Sequence, residues 1–138
     1  MSVQMLYAVG SNSNGQLGVN STEESSVLFA HVKNGMLAGG NTISLLHSWG
    51  FYSTFMIEAP SKSQIICGAG DNEFSLLSTA KHIPTLPEFA PIDMQGVVSS
   101  KRPLVKFLAC GTHHSVLCTT DNRIYAKGYN EVWITIEF

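Results

Sequence analysis

The sequence predicts an all-β chain of antiparallel meanders, one meander repeated along its length. Short apolar runs rich in β-favouring residues alternate with Gly, Asn and Asp clusters, the punctuation of strands and turns. A glycine-centred segment also recurs. It reads Tyr7-Ala8-Val9-Gly10-Ser11-Asn12, then Ile66-Cys67-Gly68-Ala69-Gly70-Asp71-Asn72, then Tyr125-Ala126-Lys127-Gly128-Tyr129-Asn130. Gly10, Gly70 and Gly128 are separated by 60 and 58 residues. A second pair, Trp49-Gly50-Phe51-Tyr52-Ser53-Thr54 and Cys110-Gly111-Thr112-His113-His114-Ser115, sets Gly50 and Gly111 61 residues apart. Two unrelated markers sharing one period identify an internal repeat.

Each unit reads alike in detail. Thr42–His47, Tyr52–Ile57 and Gln64–Cys67 are strand-like, with residues 59–63 as a longer turn. Val105–Cys110, His114–Cys118 and Arg123–Lys127 repeat the pattern, and Asp121-Asn122 suits a tight hairpin turn. Two stretches are ambiguous between strand and helix. Ser21-Thr22-Glu23-Glu24 resembles a helix capping box ahead of the apolar run Val27–Val32. Asp71 could cap a helix that puts Phe74, Leu77 and Ala80 or Lys81 on one face. Pro84, Pro87 and Pro91 make residues 84–96 a loop. The whole chain, 1–138, is read as one repeat region with approximate units 5–64 and 65–122 and a stub at 123–138.

Composition narrows the function classes. The chain has 138 residues, enough for one domain, with 44% hydrophobic and only 13% charged residues. Such low charge excludes a disordered tail or a coiled coil. A net charge of −2 gives no electrostatic reason to expect nucleic acid or an anionic membrane as partner. The first ten residues lack the basic start and long apolar stretch of a secretory signal. No apolar run approaches the ~20 residues of a membrane helix. Cys67, Cys110 and Cys118 are odd in number, so they cannot all pair within the chain. Free thiols in a reducing compartment are expected, hence an intracellular protein, cytoplasmic or nuclear.

The segment Gly10-Ser11-Asn12-Ser13-Asn14-Gly15-Gln16-Leu17-Gly18 resembles the signature loop of the RCC1 (regulator of chromosome condensation) repeat family, Gly-x-Asn-x-x-Gly-Gln-Leu-Gly, at every specified position. Residues 105–117 are similar to the family's second signature, in which Cys110-Gly111 is followed by His114-Ser115. Arg123 to Asn130, with Gly128 and Asn130, resembles the start of a further signature loop. The resemblance implies a β-propeller of four-stranded antiparallel blades, commonly seven, in which each blade packs on the next and protects its edges.

The departures set further expectations. The middle unit keeps Gly70 but lacks the later Gly-Gln-Leu-Gly pattern. Aligned on Gly50, it puts Ser53 at the family's His position and Thr54 at its Ser position, which places that blade's cross-strand hydrogen bond in doubt. About two repeats and a stub form an incomplete ring. The chain is therefore expected to be a fragment of a longer propeller, or to complete a ring by association through its open blade edges.

The chemistry-bearing residues have bland readings that weigh more. Cys110, His113, His114 and Cys118 have zinc-like spacing, but the repeat accounts for Cys110 as core and His114 as a buried, hydrogen-bonded histidine. A Cys110–His113 or Ser115–His114 nucleophile pair lacks an orienting acid, and neighbours on a strand point apart. Gly68-Ala69-Gly70 lacks the third glycine of a dinucleotide loop. Trp49, Phe51, Tyr52, Tyr129 and Trp133 are read as filling space between blades rather than as a binding platform. Lys101-Arg102 reads as a solvated pair. Contacts are assigned to the loops at 20–26 and 78–95.

No catalytic residue, metal or cofactor is expected. The expected function is a non-catalytic protein-interaction module whose partner is another protein, with no nucleic acid and no membrane. The resemblance also implies, as an alternative, guanine-nucleotide exchange on a small GTPase by a complete propeller. A zinc- or cysteine-dependent enzyme is the remaining alternative.

Overall fold

The computed structural model describes residues 4–21, 24–61, 63–73, 77, 83–92, 104–128 and 134–136. Among the described residues, ten strands form three antiparallel sheets. The first sheet pairs β1 (Leu6–Ser11) with β2 (Ser25–Val32). The second is a four-stranded meander in spatial order β3 (Thr42–Trp49), β4 (Tyr52–Glu58), β5 (Gln64–Asp71), β6 (Thr85–Pro91). The third meander runs β7 (Val105–Cys110), β8 (His114–Thr119), β9 (Ile124–Gly128), β10 (Ile134–Ile136). These three sheets do not close into a ring among the described residues. One 3₁₀ turn, Gly35–Leu37, is capped by Asn34, whose side chain accepts from the Met36 amide at 2.9 Å. No helix among the described residues is long and apolar enough to cross a membrane.

The repeat is visible in the sheets, with a phase of its own. Gly10, Gly70 and Gly128 lie on β1, β5 and β9. Each four-stranded sheet therefore begins two strands ahead of the repeated glycine. Tight turns carry the meanders: the Thr119 amide donates to the Arg123 carbonyl at 2.9 Å, and Asn122 takes φ 64° between them.

Two expectations about elements are corrected. The run after the capping-box pattern is a strand: β2 pairs with β1 from Ser25 to Val32. Glu24 ends the loop by accepting the Asn12 amide at 2.8 Å, so the chain pairs here instead of coiling. Residues 85–91 are also a strand, not a loop. Proline is tolerated on a sheet edge or at a bulge, and β6 is the edge strand of its sheet, with Pro87 inside the register shift between Leu86 and Ala90. The helix considered after Asp71 falls mostly outside the described residues, as do the Lys101-Arg102 pair and parts of both candidate contact loops.

The apolar core lies between sheets. One cluster joins the first two sheets through Leu6, Val32, Leu37, Phe55, Ile57, Cys67, Ala69 and Phe89. Within it the Phe55 and Phe89 rings are tilted by 55° with centroids 4.7 Å apart, a geometry worth about 0.5–1.5 kcal/mol beyond burial. A second cluster, Met56, Ile66, Val105, Leu117 and Tyr125, joins the two four-stranded sheets. Face-to-face packing of successive meanders is how radially repeated sheets bury their faces.

Candidate functional site

The first signature loop is a hydrogen-bonded knot. Asn12 Nδ2 donates to the Ser21 carbonyl at 2.8 Å, while Asn12 Oδ1 accepts the Leu17 amide at 3.0 Å. The Gln16 side chain accepts the Asn14 amide at 2.9 Å and donates to the Gly50 carbonyl at 3.3 Å, tying the loop to the β3–β4 turn of the next sheet. Gly15 and Gly18 lie against β6. A Cβ at Gly18 would come within 2.2 Å of the Phe89 ring, and one at Gly15 within 2.7 Å of the Pro87 Cα.

The middle unit lacks that glycine pattern and still builds the same knot. Asn72 Nδ2 donates to the Ile83 carbonyl at 2.8 Å, and Asn72 Oδ1 accepts the Leu77 amide at 2.9 Å. Leu17 and Leu77 are both buried. Asn72 and Leu77 were not among the expected signature residues. Their shared signal is an Asn followed five positions later by a Leu, present in both units. Asn130, the third copy, lies outside the described residues.

The register of the sheets moves the second signature by one residue. Tyr52 faces Gly70, and His114 faces Gly128. Ser48 pairs with Ser53 as Cys110 pairs with Ser115. Tyr52 therefore occupies the His position and Ser53 the Ser position, with Trp49 at the place of Gly111. The expected assignment of Ser53 and Thr54 was keyed to Gly50, but Gly50 sits one step further into its turn, at φ 54°. The cross-strand hydrogen bond of this blade is present: Ser48 Oγ and Ser53 Oγ are 2.8 Å apart. Its counterpart in the next sheet is Ser115 Oγ to Cys110 Sγ at 3.7 Å.

Between the two four-stranded sheets Tyr52, Thr54, Cys110 and Ser115 form one buried polar cluster. Tyr52, fully buried, donates its phenol to the His114 carbonyl at 2.7 Å and lies 3.0 Å from Ser115 Oγ. Thr54 Oγ1 is 3.4 Å from Cys110 Sγ. His47 Nε2 donates to the Cys110 carbonyl at 3.2 Å. Further along, Gln64 and the Val105 main chain exchange two hydrogen bonds, at 2.7 and 3.3 Å. Burial, opposed in part by the Ser115 hydrogen bond, holds the Tyr52 phenol well above its usual range, so it stays a neutral donor. Burial likewise pushes the Cys67 thiol up to about 11.

His114 departs from expectation. Its ring is exposed and lies over Gly111, and a Cβ there would meet it at 2.5 Å. It is the main chain of His114, not its ring, that serves the buried cluster. Ser115 points inward from the next position. Cys110 is buried and Cys118 half-buried, and Cys67, Cys110 and Cys118 are all free thiols. No group of three or more His, Cys, Asp or Glu that could hold a metal comes together among the described residues.

The aromatic residues divide. Tyr52 fills the space between sheets as expected, but Trp49 and Phe51 do not: they are 54% and 43% exposed at the β3–β4 turn. Trp49 Nε1 donates to Thr112 Oγ1 at 3.3 Å, joining this turn to the β7–β8 turn, on which His113 is exposed. Tyr129 and Trp133 lie outside the described residues.

Residues 105–132 match the family model of the Regulator of chromosome condensation (RCC1) repeat. Among solved structures, the crystal structure of human WBSCR16 superposes on 90% of this chain with a TM-score of 0.69 at 14% identity. The chain spans 28% of the length of that structure. No curated protein matches the sequence. The RCC1 resemblance is thus borne out by a repeat match at 105–132, and across the chain the likeness to the solved structure is one of all-β fold.

Proposed function

We propose that this chain of RCC1-type blades is a non-catalytic protein–protein interaction module, acting inside the cell, with its contact face at the β3–β4 and β7–β8 turns. The observation that carries the reading is the exposure of Trp49 and Phe51 at the β3–β4 turn, where Trp49 is hydrogen-bonded to Thr112 of the β7–β8 turn. Aromatic side chains exposed on a rigid scaffold are the kind of surface that supplies binding energy. The residues that could have served catalysis are engaged in structural contacts: Cys110 with Thr54 and Ser115 with Tyr52 across the two sheets, and Ser115 with Cys110 within one. Three free thiols support an intracellular setting.

The test compares the wild-type chain with a Trp49→Ala/Phe51→Ala variant as bait in a cell extract, after showing that both melt at similar temperatures. Partners retained by the wild type and lost from the variant are expected. Partners retained equally by both, or no specific partner at all, would overturn the reading.

A further inference from the structure

Charge sets apart the end of the molecule that carries Trp49 and Phe51. β1, β3, β5, β7 and β9 all end there: Gln16 donates to the Gly50 carbonyl, the Asp71 amide to the Phe51 carbonyl at 2.9 Å, and Trp49 to Thr112, while His114 faces Gly128. By sequence, the connections at this end, 12–24, 72–84 and 129–133, contain Glu23, Glu24, Glu73 and Glu131, and β5 ends there on Asp71. The same connections hold a single lysine, Lys81. Lys127, near the end of β9, is buried. The other basic residues, Lys33, Lys62, Lys101, Arg102, Lys106 and Arg123, all fall at the opposite ends of the strands.

Two of the carboxylates belong to the chain beside the aromatic pair. The Asp71 main chain is bonded to Phe51, and Asp71 Oδ1 accepts the Glu73 amide at 3.0 Å, which fixes this carboxylate close to the turn. Glu73 is exposed. The β3–β4 turn has a neighbour on each side, the 12–18 loop through Gln16 and the β7–β8 turn through Thr112. Trp49 and Phe51 are thus exposed between two neighbours rather than at an end of the array. Exposed aromatic rings attract a cation, tryptophan most strongly, and nearby carboxylates add to the attraction.

We infer that this surface binds a basic, extended segment of a partner protein, whose Lys or Arg side chains lie on Trp49 and Phe51 and pair with Asp71 and Glu73. The inference rests on the interaction-module reading and names the chemistry of its partner. Ring contact supplies the affinity, while the acidic connections around it steer a basic segment in and repel an acidic one. A second copy of the chain is a poorer occupant. At its basic end Arg123 already lies 3.4 Å from Asp121, and Lys106 lies over its own Phe107 ring at 5.3 Å. Contact between opposite ends would also stack copies head to tail without closing.

The probe is a short fluorescently labelled peptide alternating Arg and Gly, titrated into the full chain and followed by anisotropy, with a Glu-Gly peptide of the same length as control. Saturable binding of the Arg peptide alone is expected, weakening steeply as salt is raised. Trp49→Ala/Phe51→Ala should weaken it about tenfold and Asp71→Asn/Glu73→Gln about fivefold, with melting temperatures near that of the wild type. Glu58→Gln, which removes a carboxylate at the opposite end, should leave binding unchanged. No binding of the Arg peptide, equal binding of the Glu peptide, binding that neither pair of substitutions weakens, or an equal loss in Glu58→Gln overturns the inference. So does self-association of the wild type that these pairs abolish, since a second copy would then be the occupant. The two readings fail separately. An extract partner lost from Trp49→Ala/Phe51→Ala but kept by Asp71→Asn/Glu73→Gln sustains the interaction module and overturns its basic partner; one kept by both variants overturns the module reading itself.

Discussion

The phenol of Tyr52, on one four-stranded sheet, donates to the main-chain carbonyl of His114 on the next at 2.7 Å. Both residues face the repeated glycine of their own blade, Tyr52 across from Gly70 and His114 across from Gly128. A position that is a signature of the repeat in one blade is thus bound by its counterpart in the blade before it. The polar residues that most resemble a catalytic set here form the joint between sheets.

Gly10 and Gly70 offer a matched pair for measuring that joint. Both have nearly the same φ, so alanine meets similar backbone strain at each, but among the described residues only Gly70 has a strand within 2.3 Å of the added carbon. Gly70→Ala should therefore destabilise by about 1–3 kcal/mol more than Gly10→Ala, the usual range for overpacking. Urea denaturation of the two variants checks the difference.

The asparagine knots should matter equally in both units, although only one carries the full glycine signature. Removing the Asn72 or Asn12 side chain strands a buried amide and a carbonyl. Asn72→Ala and Asn12→Ala should each cost about 1–3 kcal/mol. An Asn72→Ala variant as stable as the wild type would show that the middle loop does not depend on its asparagine.

Stability should fall in alkali in a defined window. The Cys67 thiol ionises at about 11 in the fold against 9.0 in the open chain. Between those values the folded state keeps a proton that the unfolded state has released, so stability falls as pH rises. The contribution is intact below 9.0 and lost by about 11. Cys67→Ala lowers stability at every pH but should flatten the decline across this window; parallel profiles for the two proteins would contradict it.

Thiol labelling should rank the three cysteines. Cys67 and Cys110 are buried and Cys118 half-buried, so native-state alkylation at neutral pH should mark Cys118 first and Cys67 slowly. Mass spectrometry of peptides at early times reads the order.

Much of the architecture was legible in the sequence because its signals are local. The runs at 42–47, 52–57, 105–110 and 114–118 became strands where their β-favouring residues and flanking turns put them. What was not legible depended on neighbours. Pro87 and Pro91 read as loop until the edge position of β6 and its bulge explain them. Gly50 resembled Gly111 in sequence, but only cross-strand register shows that Trp49 stands in Gly111's place. The exposure of Trp49 and of the His114 ring follows from that register and from the geometry of the turns, which composition does not encode.

The most direct measurement is a double-mutant cycle between Tyr52→Phe and Ser115→Ala, read by urea denaturation. If the two sheets are joined through this buried contact, the pair should show a coupling of about 0.5–3 kcal/mol. Additive effects, with coupling near zero, would contradict the central claim that these polar residues hold one blade against the next.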